Sequence, residues 1–162
     1  MGFGLCFDCS NCNYIARYLY NVGMIEPNAG FLDDMKNVDD VRWFIERFPD
    51  GYVVYDQVVK RCKNCGALKN EMDLSMYLPN TPVRRVRDFT HSDRHFIDLR
   101  TAESMSLKKY KDHDFVCEQC GHTEMELIDM DQLENMAKNG QLRCPHCGSV
   151  LDYYHMGYIR WD

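Results

Sequence analysis

Eight of the nine cysteines fall into four Cys-x-x-Cys pairs: Cys9/Cys12, Cys62/Cys65, Cys117/Cys120 and Cys144/Cys147. A two-residue gap lets both sulfurs of a pair reach one ion from a tight turn. Four thiolates around one ion leave no open position, which marks a structural rather than a catalytic zinc. Three pairs are followed by Gly66, Gly121 and Gly148, which suit a turn ending at positive φ. At the N-terminus Cys6, Cys9 and Cys12 offer two frames. Asn13 follows Cys12 and Ser10 follows Cys9, and Asn tolerates the left-handed conformation better than Ser. The frame is therefore Cys9/Cys12, and Cys6 is a spare thiol that behaves as a small buried hydrophobe.

Four knuckles can pair in three ways. Neighbour pairing closes the shortest loops, with 49 residues between Cys12 and Cys62 and 23 between Cys120 and Cys144. That choice predicts one site from Cys9, Cys12, Cys62 and Cys65 and another from Cys117, Cys120, Cys144 and Cys147, two Zn²⁺ per chain. A four-sulfur site also accepts iron, so a one-iron, rubredoxin-like electron-transfer protein is the alternative.

Other constellations are weaker. His91, Asp93 and His95 share a face if extended, and could hold a metal with open positions. They read instead as a polar loop. His122 and His146 lie beside knuckle cysteines, but the fourth thiol is already supplied, so neither is assigned as a ligand. No paired carboxylates, Gly-rich phosphate loop or Ser/His/Asp order stands out, and no catalytic residue is assigned.

Tyr14–Tyr20 reads as a strand leaving the first knuckle, and Tyr52–Tyr55 with Val58-Val59 as strand leading into the second. Val38, Val41, Phe44, Ile45 and Phe48 recur at helical spacing, predicting a helix over 32–48. Leu107 to Val116 resembles a strand entering the C-terminal ribbon. Asp129 precedes Gln132 by three residues and opens a helix that Asn139-Gly140 closes. The tail from Leu151 to Trp161 alternates aromatic and polar residues as a final strand. The fold class is α+β: small antiparallel β-ribbons organised by two four-cysteine metal sites, with one inserted helix in each half. The expected divisions are an N-terminal zinc-ribbon-like domain at 1–82, a basic connecting segment at 83–115 and a C-terminal zinc ribbon at 116–162.

With all four knuckles placed, the chain resembles a group of uncharacterised bacterial proteins, mostly of clostridial type, with two zinc-ribbon-like halves. The resemblance rests on Met1-Gly2-Phe3 with Cys9/Cys12, on Cys62-Lys-Asn-Cys65-Gly66, and on Asp73-Leu-Ser-Met-Tyr77. It continues through Cys117-Glu-Gln-Cys120-Gly121-His122, Cys144-Pro-His-Cys147-Gly148 and Trp161-Asp162. It implies two metal sites and no particular activity. Cys6 departs from the group's pattern.

Charge narrows the partners. The formal charge is −6, and two tetrathiolate zinc sites would take it to about −10. Eight basic residues between Arg84 and Lys111 face four acids, and Phe89, Phe96 and Tyr110 lie among them. That segment could contact phosphate and unpaired bases, but an acidic whole opposes nucleic acid at long range. The expected role is a binding or adaptor module for a protein partner, possibly a second copy, with RNA binding as a further alternative. No secretory signal or apolar run of membrane-spanning length is visible, so the expected setting is reducing and cytoplasmic, with no membrane association.

Overall fold

The computed structural model describes residues 2–21, 32–33, 38–80 and 95–161. The chain folds as two units. One takes Met1–Met24, Gln57–Glu71 and Asp114–Asp162; the other takes Ile25–Asp56 and Met72–His113. Each unit is assembled from separated stretches, so the sequential divisions at 1–82, 83–115 and 116–162 do not match them. The boundaries follow strand pairing, which joins distant segments.

The first unit contains all the cysteines. Strand β1 (Gly2–Asp8) lies between β2 (Ile15–Tyr20) and β10 (Met156–Trp161), antiparallel to both. β1 was not anticipated, because its Gly-rich, mostly apolar run lacks clear alternation. Its Gly4 faces Leu19 and Ile159, and a Cβ there would run into the Tyr18 carbonyl. A second sheet sets β4 (Asp56–Cys62) between β5 (Leu68–Asp73) and β9 (Met125–Ile128). Helix α3 (Met130–Lys138) closes the core through Leu133 and Ala137. Its start is as expected: the Asp129 carboxylate accepts from the Gln132 N–H at 2.7 Å while Gln132 accepts from the Asp129 N–H at 2.9 Å. Gly140 closes it at φ 64°. Leu5, Phe7, Tyr18, Val59 and Ile128 pack with Leu133, and Cys9 and Cys144 belong to the same cluster. Asn70 stitches β2 to β4: its amide donates to the carbonyls of Leu19 and Val58, each at 2.9 Å, and accepts from the Leu19 N–H.

In the second unit, β3 (Tyr52–Val54) and β6 (Met76–Pro79) pair antiparallel at the centre of a four-stranded sheet. β7 (Phe96–Ile97) runs parallel beside β3, and β8 (Leu107–Lys111) runs antiparallel beside β6. Thus β8 does not enter a C-terminal ribbon; the pairing with β6 claims it. Helix α1 is Asp39–Arg47, shorter than the 32–48 expected; residues 34–37 lie outside those described. Val38 stands at φ −112° and ψ 14° and supplies no side-chain cap, so the apolar repeat outruns the helix. α2 (Leu99–Ser104) is capped by Asp98, which accepts from the Thr101 N–H at 2.6 Å. The chain is thus α+β with mainly antiparallel sheets, but it is not two successive ribbons with one helix each.

Of the basic stretch, Arg84 to Arg94 lies outside the described residues. Within the rest, Lys109 pairs with Asp112 at 2.7 Å and Lys111 with Asp40 at 2.9 Å. Tyr110 packs on Phe44 and Phe48, and Phe96 on Tyr55. Both aromatics make ring contacts inside the unit, and Tyr110 stays exposed.

Candidate metal centres

All four knuckles share one local geometry. The first cysteine's N–H bonds to the carbonyl five residues on: Cys9 to Tyr14, Cys62 to Ala67, Cys117 to His122 and Cys144 to Ser149, at 2.8–2.9 Å. The residue after the second cysteine donates back to the first cysteine's carbonyl: Asn13, Gly66, Gly121 and Gly148, at 2.7–2.9 Å. Closing that ring needs positive φ, and Asn13 at 58° matches the glycines at 69–75°. The frame Cys9/Cys12 therefore holds, with Asn standing where the other knuckles carry Gly. Cys6 sits on β1 opposite Gly157 and belongs to neither cysteine group. It is half-buried rather than buried, and its sulfur occupies the space a Cβ at Gly157 would need.

Which knuckles meet is decided by strands, and the neighbour pairing is overturned. The groups are Cys9, Cys12, Cys144 and Cys147, the outer centre, and Cys62, Cys65, Cys117 and Cys120, the inner one. The pairing is nested. β1 aligns with β10 from Gly2↔Trp161 to Phe7↔Met156, which draws the first and last knuckles together. β4 aligns with β9 from Val59↔Ile128 to Cys62↔Met125, which draws the middle two together. Loop entropy was too weak to oppose this. Each doubling of a loop costs only about 0.6 kcal/mol, so enlarging a 49-residue closure to the 131 residues between Cys12 and Cys144 costs roughly 1 kcal/mol. A ladder of backbone hydrogen bonds outweighs it.

In each group all four sulfurs lie within 4.8 Å of one another. Across the outer centre Cys9–Cys147 is 3.6 Å and Cys12–Cys144 is 3.7 Å. Across the inner one Cys62–Cys120 is 3.6 Å and Cys65–Cys117 is 3.5 Å. A tetrahedron with metal–sulfur bonds of about 2.3 Å has edges of roughly 3.8 Å. The sulfurs therefore fit the corners of a tetrahedral ion site and are far outside disulfide bonding distance. The first cysteine of each knuckle is buried; Cys65, Cys120 and Cys147 are exposed and Cys12 is half-buried.

Hydrogen-bond donors around the second cysteines are unequal. The Tyr14 N–H reaches Cys12 and the Ala67 N–H reaches Cys65. Cys120 receives the Asn64 side chain and the His122 N–H. Cys147 receives the Ser149 hydroxyl and N–H, and the Asn11 amide at 3.6 Å. In the metal-free chain these donors separate the thiols. Ser149 above all, with Asn11, holds Cys147 down at about 5, and Asn64 followed by the His122 N–H holds Cys120 at about 6. The Tyr14 N–H favours the Cys12 thiolate and the Ala67 N–H that of Cys65. Burial and the neighbouring thiols outweigh them and push both up to about 12.

Asn11, Asn64 and Ser149 were missed in the sequence. A signal was present: the first two knuckles read Cys-Ser-Asn-Cys and Cys-Lys-Asn-Cys, the last two Cys-Glu-Gln-Cys and Cys-Pro-His-Cys. Each centre pairs one Asn-bearing knuckle with one that lacks it, and in the outer centre Asn11 donates to the partner knuckle's Cys147 at 3.6 Å. His122 contributes backbone only, and the His146 ring stacks on Tyr14 at 5.7 Å; neither is in a cysteine group. His95 Nδ1 lies 2.9 Å from the Gly51 carbonyl, while His91 and Asp93 are outside the described residues. No helix among the described residues is long and apolar enough to cross a membrane.

No family model, curated protein or solved structure matches the chain. The two four-cysteine groups, each able to hold a metal ion, therefore carry the functional reading.

Proposed function

We propose that the chain is a zinc-binding protein whose two tetrathiolate centres are structural, and that it serves as a binding or adaptor module for a protein partner. The observation that carries the metal reading is the fourfold repeat of one knuckle, with opposed sulfurs 3.5–3.7 Å apart in both centres. Four thiolates complete the coordination of zinc and leave no position for substrate or water, so the centres rigidify rather than catalyse. The acidic balance of the sequence disfavours a polyanion.

Elemental analysis of purified protein should find two zinc per chain and no visible absorption. A red protein containing iron, after growth with and without added iron, would replace this reading with electron transfer. The partner reading is tested by sedimentation across concentration and by titration with single-stranded RNA at low salt. Tight RNA binding that falls steeply with salt would displace the protein partner.

A further inference from the structure

The three sheets among the described residues have six edge strands. An edge left long, apolar and open is a template for another strand, and folded chains blunt such edges. Five of the six are blunted. On β2, the Asn70 side chain bonds both backbone groups of Leu19, and the Asn21 N–H donates to the Gln57 carbonyl at 3.0 Å. β5 carries the Lys69–Glu71 ion pair, with Lys69 also 3.0 Å from Glu118. β8 carries Lys108, Lys109 and Lys111. β7 has two residues, and β9 has four, with Glu126 paired to Arg61. β10 has none of these devices. It runs for six residues, Met-Gly-Tyr-Ile-Arg-Trp, with one charge, and it pairs with β1 from Met156 to Trp161. No described residue pairs with its other side. The two most exposed large apolar side chains among the described residues also lie here: Tyr154, 90% exposed, just before the strand, and Tyr158, 67% exposed, within it. Tyr158 is held in place, because its hydroxyl donates to the Glu134 carboxylate at 3.0 Å.

We propose that β10 is the strand through which two copies of the chain pair, edge to edge and antiparallel, into one six-stranded sheet. This rests on the protein-partner reading above and names that partner as a second copy. A backbone edge is satisfied by another strand, and a second β10 brings the same unmet need, so one contact closes both edges. Because Asn70 and Gln57 occupy the β2 edge, the sheet cannot grow further, and the assembly ends as a closed two-fold dimer. Charge selects the direction. Parallel pairing would set Arg160 beside its own copy, whereas antiparallel pairing centred on Tyr158 sets Arg160 opposite the partner's Met156 and diagonal to the partner's Tyr158. A two-fold axis through the sheet opposes only residues of the same face, so Met156, Tyr158 and Arg160 meet one another and Gly157 meets Ile159. The one charge of β10 is positive in a chain of net charge −6, so the two acidic molecules meet where their repulsion is least.

The experiment uses the full-length protein with its metal content measured. Sedimentation equilibrium should give a dimer that dissociates on dilution. Amide exchange, read residue by residue, identifies the contact. In a single copy, alternate amides of β10 point away from β1 and exchange freely; in the dimer the amides between Gly157 and Arg160 should all be protected. Tyr158→Lys sets two ammonium groups across the two-fold axis and should raise the dissociation constant roughly tenfold with metal content unchanged. A single copy at every concentration, a dimer whose alternate β10 amides still exchange freely, or a Tyr158→Lys dimer of unchanged affinity would each overturn the pairing. Those results leave a foreign protein partner standing, whereas RNA binding that falls steeply with salt strikes the protein-partner reading itself.

Discussion

Hydrogen-bond donors set the second cysteines of the two groups apart in acidity when no metal is bound. In the metal-free chain Cys147 is a thiolate above about pH 5 and Cys120 above about pH 6, while Cys12 and Cys65 are held up at about 12. In chelated protein whose circular dichroism shows the fold retained, iodoacetamide at pH 7 should therefore modify Cys147 and Cys120 well before Cys65. The sign is fixed by the direction of each shift. Rates at Cys147 and Cys120 should stay level near neutrality and fall as pH drops through 6 and 5, whereas those at Cys12 and Cys65 should climb with alkalinity. Peptide mapping over a pH series checks this. At Asn13 the backbone stands at φ 58°, a conformation that costs most L-residues about 1–2 kcal/mol. Asn13→Gly should match or slightly exceed the natural stability, and Asn13→Ala should lose about 1 kcal/mol in denaturant unfolding while keeping both metals.

Elements place the knuckles only because backbones approach closely at a few points. Gly4 in β1 faces the Tyr18 carbonyl, where a methyl group cannot fit. Gly4→Ala should separate β1 from β2 and cost about 1–3 kcal/mol. Because β1 leads into Cys9, the loss should appear as weaker retention of the outer metal against a chelator, with the inner metal less affected. Helix α3 carries a complete capping box, so Asp129→Ala should lose about 1 kcal/mol by thermal or urea unfolding. Asn70 acts as a side-chain bridge between strands of two sheets, a role that neither β-propensity nor periodicity announces.

The nested pairing of the knuckles is the property of the whole molecule most open to a decisive measurement. The double variant Cys9→Ser with Cys144→Ser damages one centre under the nested arrangement and should retain one metal. Cys9→Ser with Cys62→Ser damages both and should retain none. Neighbour pairing would reverse the two outcomes. Cys6→Ser should keep two metals, since Cys6 lies outside both groups. A structural zinc is worth roughly 10–16 kcal/mol in small peptides, so loss of the outer metal should also loosen the sheet that joins β1 to β10. Amide exchange at Leu5 and Phe7 would report it.

Features that depend on a few consecutive residues were legible in the sequence. The knuckle turns are closed by bonds spanning four and five positions, and so Asn13 was enough to place Cys9 rather than Cys6 in the knuckle turn and its four-cysteine group. The Asp129–Gln132 box and the strand at Ile15–Tyr20 are local in the same sense. The partnership of the knuckles was not legible, although Asn11 and Asn64 marked two of them as alike. It depends on β1 meeting β10 and β4 meeting β9, contacts between segments far apart in the chain. Loop closure varies so slowly with length that only roughly 1–2 kcal/mol separates the competing pairings. Strand register, decided by the packed sheets, is the larger energy, and it exists only once the chain has folded.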